Sequence, residues 1–240
     1  MLSAFGRVVK TADLRRKLLF TLAMIVLYRV GTFIPAPGVS YGNVQQCLNA
    51  NVTSGGVYDI VNLFSGGALL QLSIFALGVM PYITASIIIQ LLRVVIPRFQ
   101  ELHDEGAQGQ AKLTQYTRYL TIALALLNAT TIVSMARSGV LLGNCPGIIP
   151  QDDVLHILLI IVTLCAGTTV IMWMGEQITE RGVGNGMSLL IFTSIASSFP
   201  SALGSIQRTH GWGIFAAVCG IGLLVMLAVV YVEQSVRRIP

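Results

Sequence analysis

Apolar stretches close to the length of a membrane span recur along the chain, separated by polar or glycine-rich segments. A helix needs about 20 apolar residues to cross a hydrocarbon core of about 30 Å. We therefore predict an all-α polytopic membrane protein with six transmembrane helices. The predicted spans cover residues 18–34, 73–92, 120–136, 154–174, 187 to about 203, and 214–232.

Residues 60–92 form an uncharged run that is too long for one ordinary span. As a straight helix the run would extend about 50 Å, well beyond the hydrocarbon core. We therefore divide it into a short broken segment at about 57–71 and a span at 73–92. A broken segment at membrane depth survives only where it is buried in protein or lines an aqueous cavity, so the run indicates a pathway across the membrane.

Composition and charge agree with a membrane protein. The 240 residues are 54% hydrophobic and only 10% charged, against about 25% charged in a typical soluble domain. A net charge of +5 would suggest nucleic acid as a partner of a soluble protein. Here twelve of the fifteen lysines and arginines fall on one predicted side and two on the other. This distribution places both chain ends in the cytoplasm, and we expect no specific recognition of nucleic acid by this chain.

Arg29 is the fifteenth basic residue and lies inside the first predicted span. An arginine near the bilayer centre costs about 2.5 to 3.5 kcal/mol on insertion scales. We predict that it is a buried structural charge paired with a backbone carbonyl or a neighbouring helix. Two alternatives stay open: the side chain reaches outward to the membrane surface, or it contacts a transported substrate.

Candidate catalytic residues are not grouped as an enzyme needs them. Ser188 lacks a base among the three histidines, and Glu176 is expected to be solvated at the water boundary. Residues 182–186 are glycine-rich but lack the lysine of a phosphate-binding loop, which favours a tight turn between two helices. We expect no catalysis, no cofactor and no metal site.

The four cysteines show no metal-binding or redox spacing. Cys165 and Cys219 lie in apolar stretches and are expected to pack there as small hydrophobic residues. Cys47 and Cys145 fall in loops that we place on the outer face. A disulfide between them is an open alternative.

Several long motifs resemble the SecY family, whose members are central subunits of the protein-translocation channel, and the similarity is to an actinobacterial-like bacterial member. The resemblance spans nearly the whole chain. It is carried by RKLLF at 16–20, YRVG at 28–31, IPAPG at 34–38, NLFSGGA at 62–68, SIFALGVMPYI at 73–83, ASIIIQLL at 85–92, QYTRY at 115–119, MWMGEQITERG at 172–182 and GNG at 184–186.

The resemblance implies one half of a ten-helix channel built from two inverted repeats. Residues 1–206 would form the N-terminal half, with five spans and a plug at about 57–71. Residues 207–240 would supply the first helix of the second half. We therefore expect the chain to be a piece of a longer protein.

The resemblance also implies the site residues. An apolar pore ring would include Val79, Ile83, Met187 and Ile191, and each pair is spaced i, i+4 so that both members point one way on a helix. Met187 stands where the family usually has a β-branched residue, which predicts a softer ring. The plug would comprise Ile60, Val61, Asn62, Leu63, Phe64, Ser65, Gly66 and Gly67.

A lateral gate, through which signal sequences and membrane segments would reach lipid, is implied at Thr84 and Asn128. Ordinary hydrogen bonding between helices is the alternative for both residues.

The implied function is passage of unfolded polypeptides across the cytoplasmic membrane and lateral insertion of membrane segments into it. The implied partners are a SecE-like clamp subunit, a SecG-like subunit, a SecA-type ATPase motor or a ribosome, signal sequences, nascent polypeptides and membrane lipid. The competing prediction is half of a secondary transporter with a broken-helix substrate site. That class needs buried ion-coupling acids, and the middles of the predicted spans contain no Asp or Glu.

Overall fold

The computed structural model describes residues 12–40, 42–44, 67–69, 71–138 and 153–234. Regular structure in these ranges is helical, apart from one isolated bridge between Pro35 and Ser73. The predicted all-α class is confirmed. The helices are α1 (Ala12–Phe33), α2 (Met80–Val95), α3 (Pro97–Asp104), α4 (Ala107–Arg137), α5 (Val154–Arg181) and α6 (Gly186–Gln234).

Six spans were predicted. Among the described residues, fewer helices are long and apolar enough to cross a membrane. Three helices can cross a membrane on this basis: α4, α5 and the Gly211–Val232 part of α6. A fourth is reached if α2 and α3, bent by 101°, count as one span. The first predicted span lies in α1, whose first two turns carry four charged residues, and the fifth corresponds to the shorter apolar helix Gly186–Pro200.

The second predicted span begins later than the sequence indicated, at Met80 rather than residue 73. Residues 71–79 form consecutive turns, and we call them the turn segment. The Ala36 amide donates to the Leu72 carbonyl at 2.9 Å, and the Ile74 amide donates to the Ile34 carbonyl at 3.0 Å. Because these bonds tie the segment to the chain that follows α1, its backbone cannot form the first turns of a helix.

Other helices are longer than their apolar stretches. Residues 100–115, predicted as a polar turn, are mostly helical, since α3 ends at Asp104 and α4 begins at Ala107. The fourth predicted span likewise continues to Arg181 instead of residue 174. Hydropathy marks only the part of a helix that lipid can surround, whereas Gln, Lys, Glu and Arg extend a helix into water at little cost.

Helix α6 covers two predicted spans. It runs through Pro200 and is interrupted at Gly211, whose φ of 76° and ψ of 179° are not helical. The bend between α2 and α3 has a different cause. Ile96 is extended there, and Pro97 opens the next helix without a backbone N–H.

Helix α5 is central to the packing, since it contacts α1, α2 and α4. A Cβ atom at Gly167 of α5 would overlap the Ile74 carbonyl oxygen, so the absence of a side chain lets α5 touch the backbone of the turn segment. Close backbone approach of this kind favours association inside a membrane, where van der Waals packing replaces the hydrophobic effect.

The chain divides into two compact units, residues up to Ile195 and residues from Ala196. The first contains the packed helices and two apolar clusters. In the second, the helix Gly211–Val232 buries none of its apolar residues within the protein. The boundary after residue 206, given by the predicted inverted repeat, stays a prediction.

Candidate functional site

The four predicted ring residues pack into one apolar cluster. Val79 is buried, with 2% of its surface exposed, and the other three are partly buried against the same core. We call this core the ring cluster. Besides Val79, Ile83, Met187 and Ile191, it includes Met24, Tyr28, Phe75, Ile171, Met174, Ile178 and Leu190.

Val79 and Ile83 are aligned by the start of α2. Val79 occupies the N-cap position, and its carbonyl accepts from the Ile83 amide at 3.1 Å. Pro81 lies in the first turn, where the missing N–H of proline costs nothing. The two side chains therefore project from one face, as their spacing predicted.

Met187 and Ile191 lie in the first two turns of α6, and the turn before them fixes that start. The Asn185 Oδ1 atom accepts from the amides of Met187 at 3.1 Å and Ser188 at 3.3 Å. Gly184 has a φ of 76°, which few other residues adopt without strain. The predicted tight turn between two helices is confirmed, and Asn185 caps the second of them.

The thioether of Met187 rests against a glycine of α5. A Cβ atom at Gly175 would overlap the Met187 Sδ atom. The glycine therefore provides the space in which the flexible methionine side chain reaches the ring cluster.

A cavity of about 450 Å³ adjoins the ring cluster. Ile83, Met187 and Ile191 form its apolar wall. Its polar wall includes Gln90, Thr114, Arg118, Glu176, Glu180, Asn185 and Ser188. An apolar cluster and a cavity with a partly polar wall are thus adjacent in the structure.

Arg118 of α4 and Glu176 of α5 form a bidentate ion pair in the polar wall. The Arg118 Nε atom donates to Glu176 Oε1 at 3.0 Å, and Nη2 donates to Oε2 at 2.7 Å. The Glu176 side chain is only 15% exposed. The prediction of a solvated Glu176 is therefore wrong, because the helices on which the two charges lie pack side by side.

The two predicted gate residues line one groove. Thr84 of α2 and Asn128 of α4 are both exposed on its surface, and the groove has a volume of about 310 Å³. The remainder is Thr131 and apolar residues including Leu77 and Met80. The Thr84 hydroxyl donates to the Met80 carbonyl of its own helix at 3.0 Å. Their role in a gate stays a prediction.

The predicted plug falls almost entirely outside the described residues, as do Cys47 and Cys145. Of its eight residues only Gly67 is described, in a turn with a φ of 89°.

Arg29 is half-buried rather than fully buried. Its Nη1 atom donates to the Thr32 hydroxyl at 3.4 Å, and its guanidinium lies 5.1 Å from the centre of the Phe33 ring. Both contacts are within α1. The predicted structural role of the charge stays a prediction.

Sequence reasoning assigned no role to Tyr28, Phe75 or Ser194. The Tyr28 hydroxyl lies 2.7 Å from the Ser194 Oγ atom, and the Tyr28 ring stacks on Phe75 with 5.8 Å between ring centres. A tyrosine inside an apolar span is itself a signal, since its buried hydroxyl needs a partner. The sequence could not say which residue supplies that partner.

Comparison with known proteins decides the family. The family model described as SecY matches residues 73–240, which contain all four ring residues. The chain belongs to the SecY family. The SecY and Sec61 channels are not enzymes, in agreement with the predicted lack of catalysis.

Curated SecY relatives from actinobacteria match the whole chain. The protein translocase subunit SecY of Micrococcus luteus is 62% identical over 240 residues, and the chain covers 55% of it. The Streptomyces scabiei subunit is 57% identical with 56% covered, and that of Mycobacterium tuberculosis H37Rv is 55% identical with 55% covered. The chain thus spans about half the length of the curated relatives it matches.

Solved channel structures share the fold. The chain is similar to Sec61 in a canine ribosome-channel complex from the endoplasmic reticulum, with a TM-score of 0.60 and 19% identity. A second structure, described as that of a protein conducting channel, matches with the same values. In both cases the match covers 94% of this chain and 49% of the solved chain.

Proposed function

We propose that the chain forms one side of a protein-conducting channel, which passes unfolded polypeptides across the cytoplasmic membrane and releases membrane segments into lipid. One observation carries the proposal: side chains from residues 79–83 and 187–191 meet in one apolar cluster beside a partly polar cavity. Membership of the SecY family supports this function over a secondary transporter.

The ring cluster suits a seal that must open for unrelated sequences. A narrow apolar constriction excludes ions by dewetting and offers a passing polypeptide no strong binding site. Met187 adds a flexible, polarisable side chain that adapts to passing polypeptides of different sequence. The remaining members of the ring would come from the part of the family's length that this chain does not span.

The cavity would be the aqueous approach to the seal. Its polar wall lies next to Ile83 and Ile191. Water held there would let a polypeptide keep its hydration up to the ring. The ion pair between Arg118 and Glu176 neutralises both charges there. Neither Arg118 nor Glu176 is therefore an isolated charge that could hold a passing chain.

The groove at Thr84 and Asn128 would be this chain's side of the lateral exit. Its mixture of apolar side chains with three exposed polar ones, Thr84, Asn128 and Thr131, suits a segment that is leaving water for lipid. Residues 60–67 would be the plug that closes the idle channel. Arg29 would stabilise the first span as a structural charge.

A passive channel needs partners for direction and stability. We propose a SecE-like clamp, a SecG-like subunit, and a SecA-type ATPase motor or a ribosome. The ribosome is named in the description of one solved relative, the canine Sec61 complex. The charge distribution along the chain supports a cytoplasmic N-terminus.

Ion leakage tests the proposal. Full-length channels with their partner subunits are reconstituted in vesicles, and ion flux per channel is measured. Ile83→Asn, or replacement of residues 60–67 by a polar linker, is expected to raise the flux, because each weakens the apolar barrier. Ile83→Leu keeps an apolar side chain of equal size and is expected to leak no more than wild type. Unchanged flux in both disruptive variants would refute the proposal.

A further inference from the structure

We propose that Tyr28 is a positioning residue that holds the two ring-bearing elements together and so sets the closed seal. This inference rests on the proposed channel function. Tyr28 lies on α1 and belongs to neither ring pair, yet it contacts both elements that carry them.

The first contact is to the turn segment that carries Val79. The rings of Tyr28 and Phe75 stack nearly parallel, with 5.8 Å between centres and 10° between planes. Phe75 lies four residues before Val79. A Cβ atom at Gly31 of α1 would overlap the Phe75 ring, so this glycine forms the slot that the ring occupies.

The second contact is to the start of α6, which carries Met187 and Ile191. The Ser194 Oγ atom lies 2.7 Å from the Tyr28 hydroxyl and donates its own proton to the Leu190 carbonyl at 3.0 Å. A serine hydroxyl has one proton, so the Tyr28 hydroxyl is the donor in the bond between them. Tyr28 and Ser194 are both fully buried.

The hydrogen bond between Tyr28 and Ser194 adds a directional interaction to an otherwise apolar cluster. Apolar contacts are non-directional and tolerate sliding of one element past another. A buried hydroxyl has a favourable energy only at the position where its partner lies. Separation of α6 from α1 would leave the Tyr28 hydroxyl without its partner, so the bond favours the closed arrangement of the ring.

The test compares ion flux per channel among reconstituted full-length variants, with channel abundance measured in parallel. Ser194→Ala leaves the Tyr28 hydroxyl buried without its partner, and we expect flux to rise roughly 5- to 150-fold. Tyr28→Phe removes the hydroxyl but keeps the stacked ring, and Ser194 keeps its bond to Leu190. The expected rise is then only about two- to tenfold.

The double variant separates positioning from general damage. Tyr28→Phe combined with Ser194→Ala leaves no unpartnered hydroxyl, so its flux should fall back to that of Tyr28→Phe alone. Thr193→Val is the matched control, because the Thr193 hydroxyl donates to the Leu189 carbonyl of its own helix at 2.8 Å. Its flux should equal that of wild type.

Wild-type flux in Tyr28→Phe and in the double variant, with Ile83→Asn leaking, would overturn the positioning role and leave the channel function intact. Wild-type flux in Ile83→Asn and in the plug replacement as well would refute the channel function, and with it this inference. Tyr28→Phe preserves the buried volume, so its flux decides the question even if Ser194→Ala does not accumulate.

Discussion

Gly167→Ala should separate α5 from the turn segment that carries Val79. The new Cβ atom would overlap the Ile74 carbonyl oxygen, and a backbone atom cannot turn away as a side chain can. The two elements must therefore move apart, and overpacking of this kind costs about 1 to 3 kcal/mol. A glycine-to-alanine change inside a helix returns about 0.5 to 1 kcal/mol. The midpoints of these two ranges give a net loss of about 1 kcal/mol in the free energy of unfolding.

Gly175→Ala is the matched control on the same helix. It brings the same gain in helix propensity, but the new Cβ atom meets only the flexible side chain of Met187. We expect near-neutral stability with a displaced Met187. The assay is thermal unfolding of the purified full-length channel. A change of about 1 kcal/mol shifts Tm by about 2 to 4 °C for 150 to 250 residues, and by less for the longer channel. Equal Tm values for the two variants would refute the packing argument.

Two further predictions concern the polar wall and the start of α6. Arg118→Met should lower the free energy of unfolding by about 2 kcal/mol, because it leaves Glu176 largely buried without its partner. Glu176→Gln should lower it by only about 1 kcal/mol, since the exposed part of Arg118 stays hydrated. Thermal unfolding distinguishes them, and the reverse order of stability would contradict the assigned burial. Asn185→Ala should cost about 1 kcal/mol by removing the cap of α6, and Asn185→Asp should restore it, because a carboxylate also accepts from the Met187 and Ser188 amides. A similar loss in both Asn185 variants, measured by the same method, would show that capping is not the cause.

Hydropathy along the sequence predicted the parts of the helices that face lipid. It did not predict helix bounds that depend on polar helix formers or on hydrogen bonds to distant residues. Apolar stretches located most of the helices because lipid requires continuous apolar surface. The start of α4 and the end of α5 were missed because polar helix formers continue both helices into water. The late start of α2 was missed for a different reason. The conformation of the turn segment depends on bonds to Ile34 and Ala36, which lie far from it in the sequence.

In the candidate site, too, the sequence predicted what depends on local spacing and missed what depends on contacts between distant helices. The i, i+4 spacing of the ring residues is local, so the sequence could place each pair on one helix face. The ion pair joining Arg118 to Glu176 and the bond joining Tyr28 to Ser194 depend on which helices pack together. Four serines lie between residues 188 and 198, and nothing local indicates that Ser194 meets a tyrosine 166 positions away.

Photo-crosslinking tests the central claim most directly. A photoreactive residue is placed at Ile83, at Ile191, or at Leu126 of α4, which is half exposed, in full-length channels holding a stalled translocating polypeptide. A channel lined by the ring cluster predicts adducts with the polypeptide at Ile83 and Ile191 and none at Leu126. Absence of adducts at both ring positions, or equal adducts at all three, would contradict it.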